Sequence, residues 1–518
     1  MGFEVCDKHA NISPNKIALI VVSPDGSFIN YSFLALQKLS NKLVNLLISN
    51  GLKPGNRLAI LLPQSVEAAI SHIAAWKMGA ISIPLFTLFG EDALRFRLKD
   101  SGAKILITEL EHYKKVQPLL TELPKLETIF ITDKFIDDNQ IKALWKNLQK
   151  ASNVYTPIKT LGETPAFISY TSGTTGNPKG ALHAHRTLLG HLPGVEFFHD
   201  FLPQPGDLMW TPADWAWIGG LMNCLISSWY YGVTNLAFRA RKYNPEEALN
   251  LIEKFNIRNT FMPPTALKIM REVSNIKRFN INLRTVAVAG EPMGSELFDW
   301  GKEALNVTFN EFYGQTECNL VIANNHHCMN IKPGSMGRPV PGHQVAIIDS
   351  SGKELPPKTI GEIAVKTPDP VLLLKYWNNE KASNAKFINQ WWRMGDQGVM
   401  DEDGYFWFIG RDDDVITSSG YRIGPGEIEN TLAGHPAVLL AAAVGIPDPI
   451  RTEQIKVFIK LMPGYKGGNN LKKEIQSFVK KRLSSHEYPR IIQFVEDIPM
   501  TSTGKIKRNE LRKAKINK

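Results

Sequence analysis

A chain of 518 residues with 43% hydrophobic residues and a mean hydropathy of −0.16 is typical of a soluble globular protein with two or more domains. No apolar run approaches the length of a membrane span and the first residues lack a secretory signal, so we expect a cytoplasmic protein. The net charge of +10 is concentrated after Leu471 without any nucleic-acid-binding motif, which favours a solvated surface or attraction for an anionic small molecule.

Apolar runs of strand length alternate with helical patterns up to about residue 400. Strands are predicted at 57–62, 81–85, 104–108, 166–169 and 285–289, and helices at 66–79 and 92–99. Because this alternation is typical of crossover connections between parallel strands, it predicts α/β layers with largely parallel sheets.

A glycine-rich loop follows the strand at 166–169. Its glycines let backbone N–H groups approach a ligand, and its hydroxyls and lysine add donors, a combination suited to a polyphosphate. It is not a Walker loop, because its lysine follows proline and precedes glycine. A flexible linker is the alternative interpretation, which the preceding strand disfavours. The candidate phosphate-binding residues are Thr171, Ser172, Gly173, Thr174, Thr175, Gly176 and Lys179.

Three later motifs place polar groups near strand ends. The first, Gly290-Glu291-Pro292, follows the strand at 285–289, where a parallel sheet presents ligands. The second, residues 311–317, combines an aromatic ring beside a glycine with a hydroxyl and a carboxylate that suits magnesium. The third contains Asp396, a good acceptor for two vicinal hydroxyls. Each has an ordinary alternative as a turn or a surface carboxylate.

The sequence changes texture at residues 410–414, where three acids follow a strand-like run, and we place a domain boundary at about residue 412. The later segment predicts a compact α+β unit with helices at 425–433 and 470–483 and strands at 439–444, 455–459 and 491–495, followed by a basic helix. Glycines flank Arg422 in one motif of this segment. In another motif, Lys505 lies on a glycine-containing turn, a position that on its own is typical of solvated surface.

These motifs, in this order, resemble those of the AMP-forming adenylating enzymes, which include acyl-CoA synthetases, peptide-synthetase adenylation domains and luciferases. The resemblance covers most of the chain. It implies a large N-terminal domain of layered, mostly parallel sheets over residues 1–412 and a small, mobile α+β lid over residues 413–518, with Asp413 at the hinge. It also implies activation of a carboxylic acid by ATP and Mg²⁺ as acyl-AMP, followed by transfer to an acceptor.

The resemblance assigns a role to each motif of the N-terminal segment. The glycine-rich loop holds the β- and γ-phosphates, and the backbone of Gly290, Glu291 and Pro292 lies against adenine. Asp396 and Arg411 bind the ribose hydroxyls, although Met394 replaces a threonine usual in the family. Within residues 311–317, the resemblance implies Tyr313 on adenine, Gly314 and Gln315 at the nucleotide, Thr316 on the α-phosphate and Glu317 on magnesium.

In the C-terminal segment, the resemblance makes Lys505 the catalytic lysine that bridges the acyl carboxylate and the α-phosphate. Arg422 is implied near phosphate. Gly420 is implied at the tunnel for the pantetheine of CoA, and we add Tyr421 and Arg490 as CoA-binding residues. Thr452 departs from the pattern, because relatives often carry glycine there.

The acceptor and the acid are separate questions. Residues 419–425, 213–217 and 488–490 resemble medium-chain acyl-CoA synthetases, so CoA is favoured over a carrier protein as acceptor. Acetate-specific relatives close the acyl pocket with a tryptophan at the position of Gly314, so glycine favours a medium-chain, branched or aryl acid; acetate or propionate is the alternative. Trp215 and Trp217 are expected to line this pocket or to be ordinary core residues.

Cysteine and histidine give weaker signals. The spacing contains no C-x-x-C pair, which favours reduced thiols. Adjacent histidines on a strand point to opposite faces, so we do not expect His326 and His327 to share a metal ion. The four cysteines are Cys6, Cys224, Cys318 and Cys328.

Overall fold

The computed structural model of the protein describes residues 1–134, 140–171, 177–238, 243–290, 293, 295–411, 416–423, 425–484, 486–499, 506 and 508–513. The described strands belong to four sheets, two large and two small. No described helix is long and apolar enough to cross a membrane.

The first large sheet has nine strands, in the order β16-β15-β14-β13-β12-β10-β11-β1-β2. Its central strands are parallel, and antiparallel pairs flank them at both edges. The strands are β1 (Ile17–Val22), β2 (Phe28–Ser32), β10 (Leu208–Trp210), β11 (Thr234–Phe238), β12 (Asn259–Met262), β13 (Thr285–Val288), β14 (Phe309–Tyr313), β15 (Ile322–Ala323) and β16 (Arg338–Pro339).

The second large sheet has eight strands, in the order β19-β9-β8-β4-β3-β5-β6-β7. The strands from β8 to β7 in this order are parallel neighbours, and β9 and β19 are added antiparallel. They are β3 (Arg57–Leu61), β4 (Ile81–Pro84), β5 (Ile105–Thr108), β6 (Thr128–Ile131), β7 (Ile141–Ala143), β8 (Pro165–Thr171), β9 (Lys179–Ala184) and β19 (Lys375–Tyr376).

The two smaller sheets lie later in the chain, and each pairs its strands mainly antiparallel. One contains β17 (Val345–Ile348), β18 (Gly361–Lys366), β20 (Phe387–Ile388), β21 (Trp391–Met400) and β22 (Phe406–Arg411). The other contains β23 (Ile416–Ser418), β24 (Tyr421–Ile423), β25 (Val438–Asp448), β26 (Thr452–Leu461) and β27 (Ile491–Phe494).

Helices connect and cover the sheets. The α-helices are α1 (Lys8–Ile12), α2 (Phe33–Ser49), α3 (Val66–Lys77), α4 (Glu91–Ser101), α5 (Leu110–Val116), α6 (Leu144–Lys150), α7 (Arg186–Phe198), α8 (Ser227–Tyr230), α9 (Pro245–Lys254), α10 (Pro264–Arg271), α11 (Ser295–Leu305), α12 (Glu380–Asn384), α13 (Pro425–Ala433), α14 (Asn469–Arg482) and α15 (Arg508–Lys513). Shorter 3₁₀ or π-helical segments are Phe3–Asp7, Gln117–Glu122, Gly219–Ile226 and Ile276–Arg278.

Local sequence explains why the helices begin where they do. The hydroxyl of Ser65 accepts a hydrogen bond from the backbone N–H of Ala68 at 3.2 Å and so caps α3. Every side chain of α3 except Glu67 is buried, because the helix lies between the two large sheets in one continuous core. Buried Lys77 at its end is neutralised by Asp7 at 2.8 Å.

The predicted α/β architecture with largely parallel sheets is confirmed, and the predicted strands and helices before residue 290 all form within a few residues of the expected bounds. In the later segment, β25 and β26 are longer than predicted, because they continue into a tight hairpin that ends at residues 448–452. The expected domain boundary at residue 412 lies outside the described residues. The strands on either side of it, β22 and β23, belong to different sheets.

The C-terminal segment docks on α4 of the N-terminal segment. Phe89 forms an isolated β-bridge with Ser484, and the hydrophobic cluster containing Leu94 and Leu98 continues into Ile423 and Val479. Gly90, which caps α4, lies so close to Arg482 that a Cβ on it would be 2.1 Å from the Arg482 carbonyl carbon. This close approach requires glycine.

Thr452 adopts φ +68°, the left-handed region that favours glycine and penalises β-branched residues. The departure from glycine noted in the sequence therefore carries backbone strain. We expect Thr452→Gly to be more stable than Thr452→Ala by about 1 kcal/mol, the reverse of the usual order in strands. Chemical denaturation of both variants measures the difference, and an alanine variant as stable as the glycine variant would contradict the strain.

Candidate active site

A cavity of about 340 Å³ lies where the strand ends of the large sheets face the C-terminal segment. Strands β12, β13 and β14 point their carboxyl ends at it, as expected for a ligand site in a parallel sheet. The structure brings twelve of the sequence-predicted residues together in its lining: Thr171, Lys179, Trp217, Gly290, Tyr313, Gly314, Gln315, Thr316, Glu317, Asp396, Gly420 and Tyr421.

For two other predicted residues, Arg411 and Arg422, the backbone pairing is described. Arg411 pairs with Asp396 across β21 and β22, and Arg422 pairs with Thr417 across β23 and β24. Arg490 lies outside the lining, where its guanidinium donates to the Tyr488 hydroxyl at 2.8 Å. The predicted residues outside the described part of the chain are Ser172, Gly173, Thr174, Thr175, Gly176, Glu291, Pro292, Asp413 and Lys505.

Asp396 is the centre of a buried hydrogen-bond cluster. Its Oδ2 accepts from the Tyr313 hydroxyl at 2.6 Å and from the Gln315 side-chain amide at 2.5 Å. The same Gln315 amide donates to the carbonyl of Met394 at 2.9 Å. The loop after β14 is therefore joined to β21, and the two motifs that the sequence predicted separately form one surface.

Tyr376, which sequence reasoning missed, contacts two further charged groups of the cavity, Lys179 and Glu317. Its hydroxyl donates to Glu317 Oε1 at 2.6 Å, and the ammonium of Lys179 lies 5.3 Å from the centre of its ring. Glu317 offers a carboxylate beside the Thr316 hydroxyl, a set of oxygen donors that fits Mg²⁺. Sequence gave no signal for Tyr376, because it is distant in the chain from both partners.

His183 is a second residue that sequence reasoning missed. It lies on β9, directly after the glycine-rich loop, and its Nε2 is 2.8 Å from the carbonyl oxygen of Thr316. Burial lowers the pKa of His183 to about 4, and its ring stacks on Phe167 with a centroid distance of 4.7 Å. Because a carbonyl oxygen only accepts, neutral His183 carries its proton on Nε2 and donates it to this bond.

Glu311 contributes a buried carboxyl group to the same cavity. Its Oε2 makes no hydrogen bond with the described residues, and burial raises the pKa of the carboxyl to about 8. The residue lies in a predicted motif, but its own role was not predicted, because a strand pattern does not reveal which side chain faces a cavity. It leaves an acceptor available for a donor on a ligand.

An apolar wall completes the cavity beside Gly314. It is formed by Trp217, Ile218, Phe261, Ala289 and Phe312. Trp215 is buried in the core between the large sheets and is not among the residues that line the cavity, which matches the alternative of an ordinary core residue; its pocket role stays a prediction.

Gly314 lines the cavity, as expected, and its surroundings give a second reason for a glycine at this position. A Cβ on Gly314 would lie 1.7 Å from the carbonyl oxygen of Asn319, so a side chain would strike the backbone of the following turn. The glycine is therefore required for a close approach of two backbone segments, and a larger residue there would not simply fill the acyl space.

The C-terminal segment closes the cavity with an aromatic stack. Tyr421 stacks on His486 with a centroid distance of 3.6 Å and packs against Trp217 at 5.5 Å. Burial, together with the nearby charges of Arg451 and Arg490, lowers the pKa of His486 to about 3, so the imidazole is neutral. A Cβ on Gly290, which has φ +95°, would lie 3.5 Å from the Trp217 ring and 3.8 Å from the carbonyl oxygen of Gly420, so this glycine lies close to both segments.

The sequence profile of the AMP-binding enzyme family matches residues 6–377, and that of the AMP-binding enzyme C-terminal domain matches residues 427–505. The chain therefore belongs to the AMP-binding enzyme family. This membership confirms the resemblance inferred from the motifs.

Individual relatives agree over nearly the whole chain. It is 34% identical to an acetyl-coenzyme A synthetase of Bacillus subtilis (strain 168), covering 100% of this chain and 90% of the relative. It is 36% identical to the acyl-coenzyme A synthetase ACSM3, mitochondrial, of Rattus norvegicus, and the match covers 95% of this chain and 85% of the relative.

Two solved structures cover 99% of the chain. The crystal structure of Brucella canis acyl-CoA synthetase has a TM-score of 0.73, 33% identity and 93% of its own chain covered. The anthranilate CoA ligase AuaEII in complex with anthranoyl-AMP has a TM-score of 0.75, 28% identity and 96% covered.

The His183 contact predicts a positioning role that two substitutions separate. His183→Leu removes the donor to the Thr316 carbonyl, which leaves a buried acceptor unsatisfied at a cost of about 1–3 kcal/mol. We expect kcat for ATP-dependent turnover to fall about tenfold or more, with KM for ATP changed much less. His183→Gln keeps a donor near the same position and should restore most of kcat. Equal losses in the two variants would show that His183 serves packing alone.

Proposed function

We propose that the protein is an AMP-forming acyl-CoA synthetase, which joins a carboxylic acid to CoA at the expense of ATP. The observation that carries this proposal is a single cavity that unites Lys179, Thr316, Glu317 and Asp396 with the Gly420–Tyr421 turn of the C-terminal segment. Enzymes of this family that are acyl-CoA synthetases use ATP, Mg²⁺ and CoA. The substrates are therefore an acid, ATP and CoA.

The first half-reaction forms acyl-AMP. A carboxylate oxygen of the acid bonds to the α-phosphorus of ATP while the bond to pyrophosphate breaks. We assign Thr171, Lys179 and the glycine-rich loop between them to the β- and γ-phosphates, and Thr316 to the α-phosphate. Magnesium, held by Glu317, would neutralise phosphate charge. Lys505 is assigned the bridge between carboxylate and α-phosphate.

The nucleoside contacts follow from the cavity's polar groups. Asp396, paired with Arg411 across two strands, is assigned to the ribose hydroxyls. The carboxyl of Glu311 is suited to accept a hydrogen bond from the exocyclic amine of adenine, because its Oε2 is buried in the cavity and makes no hydrogen bond with the described residues. Gly290 and Tyr313, which line the same cavity, are assigned to the adenine ring.

The second half-reaction forms the thioester. The thiol of CoA releases its proton to water and its sulfur bonds to the acyl carbon, while the bond from that carbon to the AMP oxygen breaks and AMP leaves with the electron pair. The docked position of Gly420 and Tyr421 at the cavity supports this stage, since the resemblance assigns this turn to the pantetheine tunnel. Arg490 is retained as a proposed contact for the phosphates of CoA at the surface.

We propose an acid longer than acetate, with an apolar tail. The support is the apolar wall that includes Trp217, Ile218 and Phe261, together with the similarity to ACSM3. A cytoplasmic location is proposed with it, since the four cysteines, all among the described residues, form no disulfide, as expected of a reducing compartment.

A substrate panel tests the reaction and the acid together. Pyrophosphate release and CoA thioester formation are measured with acetate, butyrate, hexanoate, octanoate and benzoate. We expect kcat/KM to rise from acetate to the longer acids, because each buried methylene contributes about 0.8 kcal/mol. A strong preference for acetate would overturn the longer acid while leaving the reaction intact. Pyrophosphate release without any thioester would contradict CoA as the acceptor.

Gly90 provides a test of the docked arrangement. Alanine is compatible with the backbone of Gly90 (φ −83°), but its Cβ would strike Arg482 when the C-terminal segment is docked. We expect Gly90→Ala to slow acyl transfer to CoA about tenfold or more, while single-turnover adenylate formation changes less than about twofold.

Gly468→Ala is the matched control, because Gly468 caps α14 and a Cβ there meets nothing within 4 Å. It should leave both half-reactions unchanged. If Gly90→Ala slows the two half-reactions alike, the docked arrangement is not specific to thioester formation.

A further inference from the structure

A histidine pair distant in sequence from the glycine-rich loop lies outside the lining of the nucleotide cavity. Contrary to the sequence expectation, His326 and His327 lie in a turn and not on a strand, and their ring centroids are 4.0 Å apart. The argument that adjacent histidines must point to opposite faces therefore does not apply. Both rings lie beside Asp200, which follows the end of α7.

The three side chains can converge on one point. Their ligand atoms all lie within 4.8 Å of one another. An ion bound to nitrogen and oxygen at about 2.0–2.2 Å needs ligand atoms roughly 3.4 Å apart in a tetrahedral arrangement. His326 Nδ1 and Asp200 Oδ1 are already 3.3 Å apart. His327 must therefore move its ring nitrogen closer to the other two ligand atoms, and it can do so by a change of rotamer because its side chain is exposed.

Asp200 contributes to this cluster a buried carboxylate oxygen that has no hydrogen-bond donor among the described residues. Its side chain is 1% exposed, and Oδ2 makes no hydrogen bond with the described residues. Its Oδ1 accepts from the Asn310 amide at 2.8 Å. The contact of Arg284 with Asp200 is to its backbone carbonyl. The guanidinium of Arg284 is paired with the carboxylate of Asp207 at 2.7 Å. A buried carboxylate oxygen without a donor is costly unless it binds a cation.

The scaffold around the three residues is held by two buried asparagines. Asn310 accepts from the backbone N–H of His326 at 3.1 Å, while its amide holds Asp200. Asn325 accepts from the backbone N–H of His327 at 2.8 Å and donates to the carbonyl of Phe197 at the end of α7. The histidine turn and the Asp200 segment are therefore fixed against each other, as a preorganised ligand set requires.

We propose that Asp200, His326 and His327 form a binding site for one divalent first-row transition-metal ion, with water completing the coordination. Two imidazoles and one carboxylate suit zinc, nickel or cobalt and disfavour Mg²⁺, which prefers an all-oxygen set. The site is separate from the proposed magnesium position at Glu317, and its residues do not line the nucleotide cavity. The competing interpretation is an ion pair between protonated His326 and Asp200.

Calorimetric titration of the full chain with Zn²⁺, without ATP and with Mg²⁺ in excess, tests the site. We expect one zinc ion per chain and a higher thermal midpoint in its presence. His327→Ala should weaken zinc binding at least tenfold and remove the thermal shift, while acyl-CoA synthesis measured without zinc stays unchanged. Activity is not the readout, so failure of the proposed function leaves this test intact.

Two control variants identify the ligands. Cys328→Ser removes the exposed thiol beside the pair and should bind zinc like the unmodified chain. His112→Ala removes a different histidine, which lies 3.8 Å from Glu109, and should also have no effect. The proposal is overturned if the unmodified chain binds no zinc, if His327→Ala binds it equally well, or if Cys328→Ser abolishes binding.

Discussion

A side chain at Gly314 would place its Cβ 1.7 Å from the carbonyl oxygen of Asn319. The loop that leaves β14 can therefore turn back on itself only because this position has no side chain. The turn carries Tyr313 and Gln315 toward Asp396, and Thr316 and Glu317 toward β9 and β19. The polar groups of Tyr313, Gln315, Thr316 and Glu317 depend on this one backbone contact, since they are attached to the loop that it shapes, while Asp396 and Lys179 face them from other strands.

Neutral and charged groups are separated around this loop. Burial keeps His183 neutral, so its hydrogen bond to the Thr316 carbonyl positions the loop without adding a charge. The charged groups at the proposed phosphate end are Lys179 and Glu317, and Tyr376 lies between them. Such an arrangement fixes the position of charges before a ligand enters, which is the main way an enzyme stabilises charge that develops during reaction.

Much of the fold could be predicted because it depends on local pattern. Alternation of apolar runs identified strands such as β3 and β5, and the glycine-rich loop and residues 311–317 predicted a phosphate site. Residues whose role depends on tertiary approach could not be found in this way. Tyr376 and His183 contact the loop from other strands. Trp215 packs in the core and Trp217 lines the cavity, and the sequence does not distinguish these two positions. The expectation that His326 and His327 lie on a strand was wrong, because the backbone forms a turn there.

The central claim is that one cavity first joins the acid to the α-phosphate of ATP and then releases AMP. Hexanoate labelled with ¹⁸O in both carboxylate oxygens tests it in a complete reaction with ATP and CoA, followed by mass spectrometry of the products. The account predicts one labelled oxygen in AMP, one in the acyl-CoA and none in pyrophosphate. Label in inorganic phosphate, or AMP without label, would contradict it.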